Sequence, residues 1–325
     1  MSRSRVLLTA IGSAAVLVLA LVLSAGPGLP GGDRPQVFEF SGAQLLPQAT
    51  RPAPSIPAAP GNVAVCDEPG EDEILRIDDE GAPGGEREIW VRRPPGPDRA
   101  DMPVLYLLHG STTHHTTIRD ADIGPLLDAE MCRTGVEFVI AAPHGQADDG
   151  SDTEWGDDVD GSFRIETFVT ETAIEEVEGE NRRDPALRAI GGFSMGGYGS
   201  AALALRHPEL YSQVVSWAGY FRVDDPSGTF GPDPDDEHAP DHLIEDPGTH
   251  RLRFMLIEGE DDRTPLQIGS IHGEAERFAE ILRERDVHVE TLFPPGGHTF
   301  DAWTPTLDEA TDFLVNGWQY PAATS

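Results

Sequence analysis

Short apolar runs alternate with amphipathic segments from about residue 70 to residue 318. Val104–Leu108 is an unbroken apolar run, which is typical of a strand buried on both faces of a sheet. Glu274–Arg285 instead places Phe278 and Leu282 on one face at helical spacing. The same patterns predict further strands at 136–142, 187–193, 213–217, 253–257 and 287–293, and further helices at 120–132, 166–178, 197–206 and 307–315. We therefore expect an α/β fold with a mostly parallel central sheet and helices on both faces.

Two segments depart from this alternation. Glu73–Ile77 and Arg87–Val91 are separated by the glycine-rich turn Gly81–Gly85, which predicts a pair of edge strands. Residues 222–250 contain five prolines among many acidic residues, which predicts an irregular insertion between two strands of the sheet. Loops of this length in compact domains are often functional lids, and an acidic surface excursion is the alternative.

The N-terminal part of the chain has the composition of a targeting segment followed by a linker. Arg3 and Arg5 precede the apolar run Val6–Ala25, which fits either a cleaved signal peptide or a membrane anchor. Residues 26–69 are rich in proline, glycine and alanine, which predicts a linker without a core. Residues 70–318 form the predicted globular domain, and 319–325 a C-terminal tail. We expect an extracellular or cell-surface protein that meets the membrane only through its N-terminal segment.

The composition is strongly acidic. The sequence has 57 acidic and 23 basic residues, a formal net charge of −34, and no lysine. Such a surface repels phosphate backbones, which argues against nucleic acid as a partner. Because the acidic residues are spread along the chain, a hydrated surface suited to salty surroundings explains them better than attraction of a cationic substrate.

Cysteine, histidine and aspartate patterns predict no metal site. Cys66 and Cys132 are the two cysteines, and they either pair in an oxidising compartment or remain buried thiols. His114 and His115 lack a third ligand at regular spacing, and the acidic loop at 146–161 lacks the pattern of a calcium loop. We expect neither a metal nor an organic cofactor.

The strongest chemical signal is the motif G-F-S-M-G at residues 192–196, between a predicted buried strand and a predicted helix. A G-x-S-x-G motif in this context places its serine on a sharp strand-to-helix turn. The small flanking residues let the helix cross close to the strand, and the helix N-terminus favours developing negative charge. Ser194 is therefore the predicted nucleophile, and the alternative is a glycine-rich turn with an idle serine.

A serine hydroxyl needs a base to take its proton, and the fold typical of this motif places that histidine late in the chain. His298 fits this order, in the segment P-P-G-G-H after a predicted strand. His272 and His288 are nearby alternatives, but their positions at a helix start and within a strand predict structural or surface histidines.

The carboxylate that orients the base should follow the strand predicted at 253–257. Any buried carboxylate facing the histidine could serve, so chemistry alone leaves four candidates: Glu258, Glu260, Asp261 and Asp262. An oxyanion hole needs N–H donors aimed at the tetrahedral intermediate, and the residue after the nucleophile, Met195, should supply one. The loop after Leu108 is placed to supply the other from Ser111, since Gly110 permits the unusual backbone that this needs.

These motifs resemble the esterase family of α/β-hydrolases that groups esterase D and feruloyl-esterase enzymes with the mycobacterial mycolyltransferases. The resemblance covers about residues 70–318 and rests on four segments: Tyr106–Gly110, Ile165–Glu171, Gly191–Gly199 and Gly296–Trp303. It implies the α/β-hydrolase fold and a Ser-His-Asp triad. In this family the acid commonly lies three residues after a glycine that ends a strand, which implies Asp262, with Asp261 as the alternative.

The resemblance also bears on the surroundings of the triad. The family places its second oxyanion donor directly after the glycine of the early loop, which supports Ser111. Trp155 resembles an aromatic residue near the family's active-site mouth, although a core or surface tryptophan would look the same. Trp155 and His109 are the predicted substrate contacts.

The expected activity is carboxylic-ester hydrolysis through an acyl-enzyme, with a small-molecule or carbohydrate-linked ester as substrate. Because the family includes acyltransferases with the same triad, transfer of the acyl group to a sugar or another alcohol is the main alternative. A peptidase is disfavoured because the resemblance is to esterases, and a non-catalytic cell-surface scaffold because all three triad members are present.

Overall fold

A computed structural model gives the fold of residues 64–147, 150–245 and 247–319. The predicted signal or anchor at 1–25, most of the predicted linker and nearly all of the predicted tail lie outside these residues. Within the described ranges, no helix has the length and apolar composition needed to cross a membrane.

The described residues form ten strands, which are β1 (Glu71–Asp78), β2 (Glu86–Arg93), β3 (Val104–Leu108), β4 (Val139–Pro143), β5 (Arg188–Phe193), β6 (Gln213–Trp217), β7 (Arg253–Ile257), β8 (Pro265–Leu266), β9 (Gly269–Ser270) and β10 (His288–Leu292). Eight of them make one sheet in the order β1-β2-β4-β3-β5-β6-β7-β10. The pairs β1–β2 and β2–β4 are antiparallel, and the other pairs of this sheet are parallel. β8 and β9 form a separate antiparallel ladder.

Helices connect the strands and cover both faces of the sheet. They are α1 (His115–Asp120), α2 (Ile123–Thr134), α3 (Ile165–Thr167), α4 (Ala173–Glu178), α5 (Met195–Arg206), α6 (Asp235–His238), α7 (Pro240–Leu243), α8 (Glu274–Glu284), α9 (Phe300–Trp303) and α10 (Leu307–Gln319). Alternate residues of β3 serve opposite core layers: Val104 and Tyr106 share one with α4 and α8, whereas Leu105 and Leu107 share the other with α2 and α10. The predicted mostly parallel sheet with helices on both faces is confirmed.

The N-terminal strands differ from the prediction in one respect. β1 is at the edge of the sheet, but β2 is paired on both sides, by β1 and by β4. The prediction of two edge strands is therefore wrong for β2. β2 can be paired on both sides despite its charged residues, because Arg87 and Arg92 are buried beside the carboxylates of Asp79 and Asp128.

Helix boundaries near the site also differ from the prediction. The helix predicted at 120–132 is α2, which begins at Ile123 and ends at Thr134. α1 is an additional helix that ends at Asp120, and Asp122 between the two has a left-handed φ of 57°. Aspartate is one of the few residues besides glycine that enter this region readily. α5 begins at Met195, directly after Ser194 and two residues before the predicted start. α10 continues to Gln319, past the predicted end at 315.

The insertion at 222–250 is anchored to the rest of the domain. The Tyr198 hydroxyl of α5 donates to the His238 carbonyl oxygen (2.9 Å), and Arg277 of α8 pairs with Asp241 (2.8 Å). Within the insertion, Phe230 stacks on the His238 ring with 3.8 Å between ring centroids. The insertion is thus joined to α5 by a hydrogen bond and to α8 by an ion pair.

A disulfide joins Cys66 to Cys132, with 5.5 Å between their Cα atoms. The sequence left open whether the two cysteines pair or remain free thiols, and in the structure they are paired. The bond ties the segment before β1 to α2 across a sequence separation of 66 residues. In the chain-entropy treatment, closing a loop of this length stabilises the fold by about 4 kcal/mol.

Candidate active site

Ser194 lies on a sharp turn between β5 and α5. Its φ of 58° and ψ of −119° are a conformation that residues with side chains rarely adopt. A Cβ added to Gly192 would overlap the Gly196 carbonyl, and one added to Gly196 would overlap the Leu108 carbonyl. The G-x-S-x-G spacing is therefore a steric requirement of this turn.

Backbone hydrogen bonds hold the turn in place. The Ser194 N–H donates to the Trp217 carbonyl oxygen at the end of β6 (2.8 Å), and the Ser194 carbonyl accepts from the Tyr198 N–H (3.0 Å). Met195 is the first residue of α5, so its N–H is one of the four that have no acceptor within the helix. The start of α5 therefore presents an N–H donor and partial positive charge beside the serine.

His298 and Asp262 form a hydrogen-bonded pair. His298 Nδ1 lies 2.7 Å from Asp262 Oδ2, and the Thr264 N–H donates to Asp262 Oδ1 (3.0 Å). Burial raises the pKa of the Asp262 carboxyl, but the hydrogen bonds from His298 and Thr264 outweigh burial and hold this pKa below its usual value. Asp262 is thus a carboxylate at neutral pH. The hydrogen-bond network therefore assigns the imidazole proton to Nδ1 and leaves Nε2 as an acceptor.

The loop after β7 and the loop after β10 are joined through their backbones. The Glu260 N–H donates to the Pro294 carbonyl oxygen, and the Asp261 N–H donates to the Gly296 carbonyl oxygen, both at 2.9 Å. These bonds continue the pairing of the two parallel strands beyond their ends. The loop that carries His298 is therefore hydrogen-bonded to the loop that carries its carboxylate partner.

Ser194 and His298 line one cavity of about 400 Å³. One wall is aromatic, because the rings of Phe193, Phe300 and Trp303 pack together with centroids 5.0–5.3 Å apart. The rest of the lining carries hydroxyl groups and backbone, from Gly110, Ser111, Thr112, Thr113, Thr264 and Thr299. No hydrogen bond joins Ser194 Oγ to His298 among the described residues, and such contacts often tighten only when substrate binds. None of the described residues at 222–250 lines this cavity, so the insertion is not a lid over it in this conformation.

The alternative acids and bases lie outside the cavity lining. Glu260 and Asp261 are exposed. His272 and His288 are exposed as well, and His288 Nε2 lies 3.0 Å from Glu290 Oε1. The structure thus brings His298 to Asp262 and leaves these four side chains on the surface.

Glu258, the first acid of the run, is buried and holds the start of α8. Its carboxylate accepts N–H bonds from Gly273 (2.7 Å) and Ala275 (3.0 Å). Burial raises the pKa of Glu258 to about 7, and these hydrogen bonds offset burial only in part.

We expect Glu258→Gln to change the pH dependence of stability. Because the pKa of Glu258 is raised from 4.5 to about 7, the folded state binds more protons than the unfolded state between these values. The wild type therefore loses stability as pH rises through this window, whereas the glutamine does not titrate. The free energy of unfolding of the variant, relative to wild type, should rise by about 3 kcal/mol from pH 4 to pH 8. Urea denaturation measures it, and a pH-independent difference would contradict it.

Trp155 and His109 are buried, which corrects the expectation that they contact substrate. Each is 1% exposed, and their ring centroids are 4.9 Å apart. The Trp155 indole N–H donates to the His109 carbonyl oxygen (3.2 Å), and the Gly145 N–H donates to His109 Nε2 (2.9 Å). Burial lowers the pKa of His109 to about 3, so the ring is neutral and its Nδ1–H donates to the Gly110 carbonyl oxygen (2.8 Å). Both residues therefore brace the loop that carries Ser111.

His114 and His115 meet a third histidine that the sequence did not single out. His114 Nδ1 lies 3.4 Å from His144 Nε2, and the rings of His115 and His144 are 5.0 Å apart. Glu88 Oε2 lies 3.2 Å from His115 Nε2. In the part of the chain that the structure describes, no group of three or more such side chains has an arrangement suited to a metal ion.

Comparison with known proteins agrees with this architecture. The chain matches a family model described as "Putative esterase" over residues 81–314. It has no significant match among curated protein sequences. Three solved structures have a similar fold, each at 18% identity and over 77% of this chain: a ferulic acid esterase (TM-score 0.64, 99% of that chain), an S-formylglutathione hydrolase from Agrobacterium tumefaciens (0.64, 96%) and MPT51 from Mycobacterium tuberculosis (0.56, 99%).

The sheet order, the serine on its strand-to-helix turn and these similarities define a serine esterase of the α/β-hydrolase superfamily. Within that superfamily, the chain belongs to the esterase family whose model it matches over 81–314.

Proposed function

We propose that this esterase hydrolyses carboxylic esters through an acyl-enzyme on Ser194, with His298 as base and Asp262 as the orienting carboxylate. One observation carries the proposal: Ser194 lines the same cavity as His298, whose Nδ1 is 2.7 Å from the buried Asp262 carboxylate. A proton held on Nδ1 leaves Nε2 as the acceptor that a serine nucleophile requires.

In the first half-reaction, Ser194 Oγ attacks the ester carbonyl carbon while His298 Nε2 takes the hydroxyl proton. The carbonyl π electrons move onto the oxygen, and the N–H groups of Met195 and Ser111 hold that oxyanion. Collapse re-forms the carbonyl and breaks the bond to the alkoxy oxygen. His298 gives its proton to the leaving alcohol, so the acyl group remains on the serine.

In the second half-reaction, water attacks the acyl carbon and gives a proton to His298 Nε2. Collapse releases the carboxylic acid, and the proton returns to Ser194 Oγ. Asp262 stabilises the imidazolium in both halves without taking the proton. These steps use only side chains and backbone N–H groups of this chain, so we propose that no metal or organic cofactor takes part.

We infer that the substrate is an uncharged ester with a short or planar acyl group. The cavity of about 400 Å³ is near the small end of the range for ligand pockets, and its aromatic wall suits such a group. A net charge of −34 disfavours anionic esters and nucleic acids. A small-molecule or carbohydrate-linked ester meets these conditions.

We also propose that the enzyme works outside the cytoplasm. Arg3 and Arg5 precede an apolar run typical of a signal peptide or an anchor. The disulfide between Cys66 and Cys132 supports export, because disulfides persist mainly in oxidising compartments. In this proposal, only the N-terminal segment contacts the membrane.

Hydrolysis of a series of p-nitrophenyl esters by the wild type tests the proposed function. We expect the highest kcat/KM for short acyl groups, and a burst of one p-nitrophenol per enzyme wherever deacylation limits the rate. Adding a sugar as competing acceptor separates hydrolysis from acyl transfer: hydrolysis yields the free acid, whereas transfer yields a new ester in its place. Release no faster than the uncatalysed rate on every ester would overturn the proposal.

A further inference from the structure

Gln146 connects the loop after β4 to the loop that carries Ser111. Its side-chain Nε2 donates to the carbonyl oxygens of Ser111 (2.5 Å) and Thr113 (3.2 Å). The residue is 7% exposed, so the amide is shielded from water. The catalytic steps described above do not use this side chain, yet both of its contacts fall on the proposed oxyanion loop.

The loop that Gln146 contacts is a four-residue turn, Gly110–Thr113. The Thr113 N–H closes it by donating to the Gly110 carbonyl oxygen (3.2 Å), and the Thr113 hydroxyl donates to the same oxygen (3.0 Å). In a planar trans peptide, the N–H of one residue points opposite to the carbonyl of the residue before it. The contacts on the Gly110 oxygen therefore set the direction of the Ser111 N–H. His109 Nδ1–H donates to the same oxygen (2.8 Å), so Thr113 and His109 together hold the peptide that carries the Ser111 N–H.

We propose that Gln146 is a positioning residue of the oxyanion hole. Its amide clamps the carbonyls of Ser111 and Thr113, so that the turn keeps the Ser111 N–H aimed at the reacting carbonyl oxygen. This inference rests on the proposed function, because the clamp has a catalytic effect only if an oxyanion forms at Ser194.

The clamp is fixed to the sheet. The Gln146 carbonyl oxygen accepts from Arg87 Nη1 (2.9 Å), and the same nitrogen donates to the His144 carbonyl oxygen (2.8 Å). Arg87 is a fully buried residue of β2, and its Nε pairs with Asp79 Oδ2 (2.5 Å). Moving this guanidinium would break its hydrogen bonds to the His144 and Gln146 carbonyl oxygens and its ion pair with Asp79. The backbone of Gln146 is thereby held where its side chain reaches the turn.

Kinetics of two variants test this inference. Gln146→Met removes both donors at similar length, and Gln146→Glu keeps the shape but replaces the amide with a carboxylate. We expect kcat for a p-nitrophenyl ester to fall by about 10–100-fold, and KM to change by less than about 3-fold, since an oxyanion is stabilised only in the transition state. Affinity for a boronic acid that forms a tetrahedral adduct with Ser194 should fall by a similar factor.

Gln213→Met is the matched control. Gln213 is a buried glutamine at the start of β6, and its Nε2 also donates to a backbone carbonyl, that of Leu314 (3.0 Å). This variant loses the same kind of bond away from the cavity, together with the bond that Gln213 Oε1 accepts from Arg253 Nη1 (2.9 Å). We expect a lower melting temperature and an unchanged kcat.

The outcomes separate the inference from the function on which it rests. An inactive wild type would overturn the proposed function. An active wild type with unchanged kcat in the folded Gln146 variants would overturn the inference alone. A loss confined to melting temperature, as in the control, would also overturn it. Should Gln146→Met not fold, Gln146→Asn carries the same comparison, because it keeps a neutral amide but shortens its reach to the turn.

Discussion

Replacing Ser194 with alanine is expected to lower kcat for ester hydrolysis by about 10⁵–10⁶-fold. Alanine keeps the Cβ and the backbone bonds to Trp217 and Tyr198 that hold the turn, so the variant should fold as the wild type does. It loses only the oxygen that would carry the acyl group. Initial rates on p-nitrophenyl acetate, with the wild type titrated for active sites, measure the ratio.

Ser227→Ala is the control, because Ser227 is an exposed serine in the insertion. It should hydrolyse the ester at the wild-type rate, and both variants should keep the wild-type melting temperature. A Ser194→Ala rate within about 10-fold of the wild type would contradict the assignment of the nucleophile.

Asp262→Asn is expected to lower kcat by about 10⁴-fold with little change in KM. The Thr264 N–H donates to Asp262 Oδ1, so the asparagine oxygen should occupy that position and its NH₂ should face His298 Nδ1. The imidazole then has to accept at Nδ1, which moves its proton to Nε2. A protonated Nε2 cannot take the hydroxyl proton of Ser194.

Asp261→Asn is the control for this variant, because Asp261 is the adjacent exposed acid that chain position alone did not exclude. We expect it to keep the wild-type kcat. Equal losses in the two variants, or a loss confined to Asp261→Asn, would contradict the assignment of the orienting carboxylate.

The sequence predicted those parts of the fold that local pattern determines. The apolar run Val104–Leu108 became a fully buried strand, and the G-x-S-x-G motif became a turn on which its glycines are sterically required. Chain order led to His298, which the structure pairs with Asp262. Chemistry alone did not choose among the four acids after β7. They differ in how deeply each carboxylate is buried and in whether it faces His298, and the sequence shows neither.

The surroundings of the site were less predictable, because they depend on which side chains the fold buries. Trp155 and His109 lie in loops near the motif residues, yet both are buried and hydrogen-bond to the backbone of the loop that leads to Ser111. No motif or residue pattern in the sequence marked Gln146 as a residue of the site. Its position just after β4 was the available hint, since the carboxyl ends of neighbouring parallel strands meet at one edge of the sheet, where ligands bind.

A crystal structure of the enzyme inactivated by a fluorophosphonate tests the central claim most directly. We predict phosphorus bonded to Ser194 Oγ, and a phosphonyl oxygen about 2.7–3.1 Å from the backbone nitrogens of Met195 and Ser111. His298 should remain hydrogen-bonded to Asp262 with its Nε2 turned toward the adduct. An adduct on another residue, or on Ser194 with its phosphonyl oxygen directed away from both nitrogens, would contradict the account.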